Sequence, residues 1–297
     1  MKILITGSSG LVGSALQSFL QKDGHDIKRL VRSQPTKANE LFWNPDDGVL
    51  DATGLEGIDA VVHLAGESIA EGRWTGVKKA RIRDSRVKGT TLLSQKLASL
   101  KQPPAVLVSA SALGYYGNRG DELLTEESSP GSGFLADVCR QWEASTEPAA
   151  TKGIRITIAR FGLILSKNGG ALAKMLLPFR MGAGGQIGSG EQYWSWIDID
   201  DVVRVIDYAM KQDSVRGAIN VATPTPVTNA EFTRTLGEVL RRPAVIPIPG
   251  MAARAVFGEM ANHLLLASAR LQPARLIEAG FEFHYPELHA ALYHQLA

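Results

Sequence analysis

The opening of the chain restricts its fold more than any other stretch. Residues 2–6, KILIT, are a short apolar run, a glycine-rich turn follows at 7–13, and Leu11, Ala15, Leu16, Phe19 and Leu20 then recur at helical spacing until Gly24. A buried strand that passes through glycines into a helix is the first half of a βαβ unit. The pattern repeats: HDIKRLVR and DAVVHLAG (59–66) read as strands, and a helical stretch covers about residues 77–100. Pro103 and Pro104 follow it, AVLVSAS reads as the next strand, a helix is expected over about 134–151, and RITIARFG reads as a further strand. This alternation specifies the α/β class, a Rossmann-like doubly wound parallel sheet with helices on both faces and right-handed crossovers.

After about residue 163 the rhythm changes. A segment rich in glycine and aromatics precedes IDIDDVVRVIDYAMKQ, which resumes a helical pattern, and GAINVAT reads as a returning strand. Several prolines and a second helical group follow. The expected organisation is a dinucleotide-binding domain of residues 1–163 plus about 198–222, with a smaller, mostly helical substrate or cap domain from about 164–197 and 223–297.

Gly7, Gly10 and Gly13 stand between the first strand and its helix as GxxGxxG. A tight loop with helix-packing glycines meets this spacing, and so does a diphosphate cradle. In a cradle the first glycine allows the exit from the strand, the second lets backbone approach a pyrophosphate, and the third lets the helix close on the sheet. The place of the loop in the βαβ unit favours the cradle, with Gly7, Ser9, Gly10, Leu11, Val12 and Gly13 as its contacts. A ribose 2′-hydroxyl calls for an acid near the end of the second strand, where LVRSQPTK supplies Arg32 and Lys37 instead. A guanidinium suits a 2′-phosphate in charge and geometry, which favours NADP(H) over NAD(H). Leu64, Ala65 and Gly66, after the third strand, fit a close wall for the same cofactor.

Charge adds little. Lys plus Arg is 32 against 30 for Asp plus Glu, a net +2 that gives no support to a nucleic-acid or membrane-surface partner. The single cysteine, Cys139, rules out an intramolecular disulfide and suits a reducing compartment. No secretory pattern opens the chain, and no run approaches the ~18 apolar residues of a membrane span, so the expectation is a cytoplasmic protein with a small-molecule ligand.

Taken together, TGSSGLVG, VVHLAG, RVKGTTLL, SAS followed by YYG, ARFG, WIDIDDVV and NVATPTPVTNAEF resemble the extended short-chain dehydrogenase/reductase superfamily. Within it the chain is most similar to the atypical, epimerase-like branch, over essentially its whole length. The resemblance implies an NAD(P) cofactor across the carboxyl ends of the strands and a serine or threonine that positions the substrate oxygen. It also implies a tyrosine that transfers the proton and a lysine four residues later that tunes it. The serine falls on Ser111, with Ser109 as second choice, although a serine capping local backbone fits there too.

The tyrosine–lysine pair has no counterpart. In GFLADVCRQWE, matching Glu143 to the glutamate that usually follows the pair puts Leu135 and Cys139 at its positions, and the neighbouring register gives Phe134 and Val138. Apolar side chains cannot transfer a proton. Tyr115 is the candidate substitute, whereas Tyr116 matches a loop tyrosine that lines or packs the site. Arg86, where relatives often carry an asparagine, either neutralises a phosphate or belongs to the solvated basic face of its helix. Cys139 reads as a buried small hydrophobe rather than a nucleophile.

Further candidates flank these. Glu67 could meet polar parts of a ligand, and Arg160 either contacts the cofactor or makes a buried ion pair. Tyr193, Trp194 and Trp196 either line a substrate cleft or staple the cap. His63 reads as satisfied within its strand. Asp200 or Asp201 reads as a helix cap rather than a metal ligand, and no metal site is expected. The functional expectation is an NADP(H)-dependent oxidoreductase or epimerase for a small carbonyl, alcohol or nucleotide-sugar-like substrate, with Ser111 orienting the oxygen and a nonstandard proton donor. Its rival is a catalytically silent NADP(H)-binding sensor or scaffold.

Overall fold

The strand–helix alternation of the first half builds one large sheet. The computed structural model describes residues 1–297. Its strands are β1 (Lys2–Thr6), β2 (Asp26–Val31), β3 (Glu40–Asn44), β4 (Val49–Leu50), β5 (Ala60–His63), β6 (Val106–Ala112), β7 (Leu123–Leu124), β8 (Arg155–Phe161), β9 (Leu163–Leu165), β10 (Tyr193–Trp194), β11 (Trp196–Asp198), β12 (Gly217–Val221), β13 (Val227–Thr228) and β14 (Arg270–Leu271). The helices are α1 (Leu11–Lys22), α2 (Gly76–Ala98), α3 (Phe134–Ala144), α4 (Glu147–Thr151), α5 (Gly170–Arg180), α6 (Ile199–Lys211), α7 (Asn229–Leu240), α8 (Gly250–Phe257), α9 (Ala274–Glu278) and α10 (Leu288–Leu296). A π-helical turn, Ala261–Leu265, follows α8.

The central sheet runs β12-β8-β6-β5-β1-β2-β3-β4. Every neighbour pair in it is parallel except β3 with β4 at the edge. The chain winds outward in both directions from β1 and β5, so the strand order reverses between them. A crevice at the carboxyl ends of such a sheet is where ligands of doubly wound folds bind. β3 and β4 extend the sheet beyond the strands expected from the sequence. The helix expected over 134–151 is two, α3 and α4, because Pro148 sits in the first turn of α4 and cannot continue a preceding helix.

Two apolar clusters cover the faces of the sheet. Ile3, Ile5, Leu16, Val202 and Ile206 join α1 and α6 to one face, and Leu4, Val61, Leu93, Leu97 and Leu107 join α2 to the other. A third cluster gathers Leu172, Trp196, Phe232 and Leu292 from α5, β11, α7 and α10. Leu276 and Phe281 pack in the first cluster, so α9 and the turn after it are attached to the main sheet although they lie late in the chain.

Candidate functional site

The turn after β1 is shaped by what a side chain there would strike. Gly7 has φ +66°, and a Cβ on it would lie 2.7 Å from the Leu64 carbonyl carbon. At Gly13 a Cβ would lie 2.3 Å from Gly7 O, so helix α1 starts against the strand exit with no space for a methyl group. Gly10 is the N-cap of α1 and no side chain caps that helix. The amides of Leu11, Val12 and Gly13 therefore open the helix without a side-chain acceptor, beside exposed Ser9 and Gly10. Uncapped amides at a helix N-terminus attract an anion.

The end of β5 forms the facing wall. Thr6 Oγ1 receives the amides of Leu64 (3.1 Å) and Ala65 (3.2 Å) and contacts His63 Nδ1 at 2.7 Å. His63 Nε2 meets Thr90 Oγ1 at 2.9 Å, and burial lowers the histidine's pKa to about 4. His63 is thus satisfied within the sheet. Leu64 and Ala65 are half-buried and Gly66 is exposed. Arg32 is exposed at the end of β2. Glu67 takes a hydrogen bond from Lys78 at 2.7 Å, which holds its carboxyl below the ordinary range, with the Arg81 and Arg32 charges acting the same way. Arg86 is half-buried rather than solvated. Its Nη1 donates to Glu67 O and Ile82 O, both at 3.0 Å, and its guanidinium lies 5.0 Å from the Trp142 ring.

At the end of β6 the structure corrects several expectations. Ser111 is 2% exposed and its hydroxyl donates to Glu143 Oε1 at 2.6 Å, so it faces the interior rather than the crevice. Side chains alternate along a strand, which puts Ser109 and Ser111 on one face and half-buried Ala112 on the other. Arg160 makes the buried ion pair that was its alternative reading. It is 4% exposed and grips Glu143 through Nε at 3.0 Å and Nη2 at 2.9 Å. Burial alone would lower the arginine's pKa, but Glu143 outweighs it and the pKa lies above its ordinary value. Arg160 Nη1 also donates to Tyr116 OH at 2.9 Å, and that hydroxyl donates to Asn220 Oδ1 at 2.7 Å. Tyr116 is fully buried, its pKa pushed up to about 12 by burial, and so it cannot line a substrate cleft. Tyr115 is half-buried, with the Arg160 guanidinium 3.5 Å from its ring centroid. Cys139 is buried and its thiol is raised to about 11 by burial, which leaves it an inert core group.

The aromatic segment divides. Trp196 is fully buried with Nε1 donating to Thr225 O at 3.1 Å, and Trp194 packs edge-on against Phe232 at 5.3 Å. Both staple the third apolar cluster and neither lines a cleft. Tyr193 stays half-buried beneath the Arg270 guanidinium, 4.8 Å from the ring centroid. The cap of α6 is Asp198, two or three residues earlier than expected, and it accepts the Asp200 amide at 2.8 Å. Asp201 accepts the amides of His284 and Tyr285 at 2.9 Å each.

One part of the carboxyl edge was not anticipated. Trp74, Ile82 and Leu135 form a small apolar cluster with Phe134, Met260 and Leu264 packed against it. Here the N-terminus of α3 meets the loop before α2 and the π-helical turn. His263 stacks on Trp74 with 5.6 Å between ring centroids and a 24° interplanar angle. The strap formed by α8 and the π-helical turn, residues 250–265, is tied down from α2 by Lys79, which bonds Glu259 at 2.9 Å, and from the preceding loop by Arg73, which donates to Ala255 O at 2.9 Å. In sequence this strap offered only a proline-rich approach and a helical pattern. A histidine among leucines, HLLL, was its one chemical signal.

Comparison with known proteins agrees with this geometry. An epimerase family protein of Mycobacterium bovis is 44% identical over 290 residues, covering 98% of this chain and 96% of its own. Human epimerase family protein SDR39U1 is 36% identical over 299 residues, covering 98% of each chain. The crystal structure of the human protein with NADPH matches with a TM-score of 0.92 at 34% identity, over 99% of both chains. A structure described as a nucleoside-diphosphate sugar epimerase from Corynebacterium glutamicum gives a TM-score of 0.82 at 38% identity, covering all of this chain and 58% of that one. Residues 248–295, which include the strap, match a domain of unknown function, DUF1731. Residues 3–222 match the NAD dependent epimerase/dehydratase family, and the chain belongs to that family.

Proposed function

We propose that this chain binds NADP(H) across the carboxyl edge of its sheet and is an oxidoreductase for a small carbonyl or alcohol. The observation that carries the reading is the uncapped start of α1, which Gly7 and Gly13 let close on the strand exit where a Cβ would strike backbone. The donor set fits such a group. Leu11, Val12 and Gly13 amides would hold the diphosphate, Leu64, Ala65 and Gly66 would wall it, and Arg32 would meet a 2′-phosphate. The NADPH in the structure of the human relative supports the same choice. The bound nicotinamide would supply or accept a hydride.

The chain's own residues limit the chemistry. With Ser111 bonded to Glu143, and Leu135 and Cys139 where the family's proton-transfer pair would stand, the usual machinery is missing. That observation favours the second reading, a nucleotide-binding sensor that does not turn over. Titration with NADPH and NADH tests the binding layer. Arg32→Ala should weaken NADPH binding about tenfold, the worth of ~1.4 kcal/mol, and leave NADH binding unchanged. Equal loss for both nucleotides would remove Arg32 from the 2′-phosphate. NADPH oxidation in a carbonyl screen separates the oxidoreductase from the sensor.

A further inference from the structure

We infer that this chain attaches to the surface of an anionic lipid bilayer through α8, the segment leading into it and the end of α5. The inference goes beyond the nucleotide site and stands independently of both readings of it.

Two stretches of sequence meet to make the face. Residues 184–188, after α5, run beside 246–248, before α8. Ile246 N donates to Gly184 O at 3.2 Å, Ile248 N to Gln186 O at 2.8 Å, and Gly188 N to Ile248 O at 2.9 Å. Gly185 is buried in this seam, where a Cβ would lie 1.5 Å from Ile246 O, so the two backbones touch. The face also adjoins the candidate site. A Cβ on Gly170, at the start of α5, would lie 3.3 Å from Leu11 Cδ2, and Lys174 Nζ donates to Ala70 O at 3.0 Å.

The joined stretches expose apolar side chains. Of the thirteen large hydrophobic residues exposed in the whole chain, seven lie within 170–190 and 241–258. Leu177 and Met181 stand at the end of α5, 66% and 68% exposed. Val245 and Ile246 precede α8, and Met251, Val256 and Phe257 belong to it, Met251 at 79% exposure. α8 reads GMAARAVF, and Ala253 is its only buried residue, so the helix rests on the molecule by one small side chain. A concentration of exposed apolar groups marks a surface that something covers.

Charge decides what covers it. The same two stretches contain Lys174, Arg180, Arg241, Arg242 and Arg254 and no Asp or Glu, so the remaining residues of a chain of net charge +2 are net negative. The even overall balance hides this segregation, because it sums faces that point in different directions. A groove of about 420 Å³ beside Val245 is lined by Arg234, Arg241 and Arg242, and its one acid, Glu238, is paired with Arg234 at 2.7 Å. Glu259, the first acid after α8, is paired with Lys79. A second copy fits poorly, since a two-fold contact would set these arginines against their own images. Protein partners are anchored by Trp and Tyr as much as by Arg, and the two stretches hold neither ring. Aliphatic side chains among arginines suit the headgroup layer, where the chains reach acyl carbon and the guanidiniums meet phosphate.

The test is cosedimentation of the full chain with vesicles of phosphatidylcholine alone and of an equal mixture with phosphatidylglycerol. The mixed vesicles should bind at least tenfold more tightly, and raising salt from about 0.1 M to about 1 M should remove most of that difference. Arg241→Gln with Arg242→Gln should weaken binding to the mixed vesicles about 30-fold, near fivefold for each charge at the surface. Met251→Glu with Val256→Glu should weaken it at least tenfold. Both variants alter exposed side chains, so their thermal unfolding and NADPH affinity should match the wild type. Binding to both kinds of vesicle alike, or to neither, would overturn the inference. So would binding that both variants retain, which would put the attachment on another face. A dimer in light scattering that Met251→Glu with Val256→Glu dissociates, without vesicle binding, would assign the face to a second copy and overturn it too. NADPH titration is a separate measurement, so loss of the nucleotide reading leaves these outcomes unchanged.

Discussion

At the turn after β1, the amides of Leu11, Val12 and Gly13 open a helix with no side chain to receive them, whereas at the end of β6 Ser111, Glu143, Arg160, Tyr116 and Asn220 satisfy one another. The second region is richer in chemical groups, and it is the one that is structural. Buried polar groups need partners, and a hydroxyl, a carboxylate and a guanidinium that have found each other keep nothing free for a ligand. The first region is almost bare of functional side chains. Its value lies in donors left open and in a strand exit and helix start that only glycine lets pack so closely.

Substitutions can break this contrast. Glu143→Gln leaves Arg160 as a buried charge without its counter-ion, and it should cost about 3–5 kcal/mol in urea unfolding. A change within error would mean that the β6 network is not structural. Acid should act next most strongly. His63 has its folded pKa lowered from 6.5 to about 4, so its contribution is full above pH 6.5 and is lost as pH falls through 4. The loss is roughly 3 kcal/mol. Asp198 works in the opposite direction, because burial raises its pKa to about 6 and the penalty of its charge is relieved on acidification. Unfolding curves from pH 7 to 4 should therefore be compared in an Asp198→Asn background, where His63→Gln should flatten the remaining slope.

Gly13→Ala, with its methyl group 2.3 Å from Gly7 O, should weaken NADPH at least 100-fold, about 2.7 kcal/mol, while the far-ultraviolet dichroism stays native. Retained affinity would show that the cradle does not hold the diphosphate. The smallest effect sharpens the comparison. Ser111→Ala removes one hydrogen bond to a charged group and should lower stability by about 1.5–3 kcal/mol with NADPH affinity unchanged. A variant of normal stability with lost turnover would return Ser111 to the chemistry.

Much of the fold was legible because burial writes itself into spacing. The runs ILI (3–5), AVV (60–62) and VLV (106–108) are unbroken apolar stretches, as strands covered on both faces require, and Gly7 and Gly66 follow the first two. The glycine turn after β1 was legible for the same reason. The direction of the side chains at the end of β6 was not, because Ser111 and Ala112 differ by one residue and therefore by a face of the sheet. A motif match fixes position along the chain but not which way a side chain points. Tyr116, Trp194 and Trp196 stay undecided in sequence for a similar reason, since a large polar aromatic can serve a cleft or a core and composition does not distinguish them. His263 was missed because it lies about 130 residues beyond the helix it covers, so no local pattern joins the two.

Thr6 carries a consequence of its own. Its oxygen already receives two amide protons, so its single hydrogen has one place to go, the unprotonated Nδ1 of His63, and the ring's own hydrogen then points at Thr90. A proton arriving on that nitrogen would set two hydrogens nose to nose and force the hydroxyl to swivel, loosening its hold on Leu64 and Ala65. Acid near pH 4 would thereby be felt as slackness in the rim beside the glycine turn, at a point remote from the edges of the central sheet.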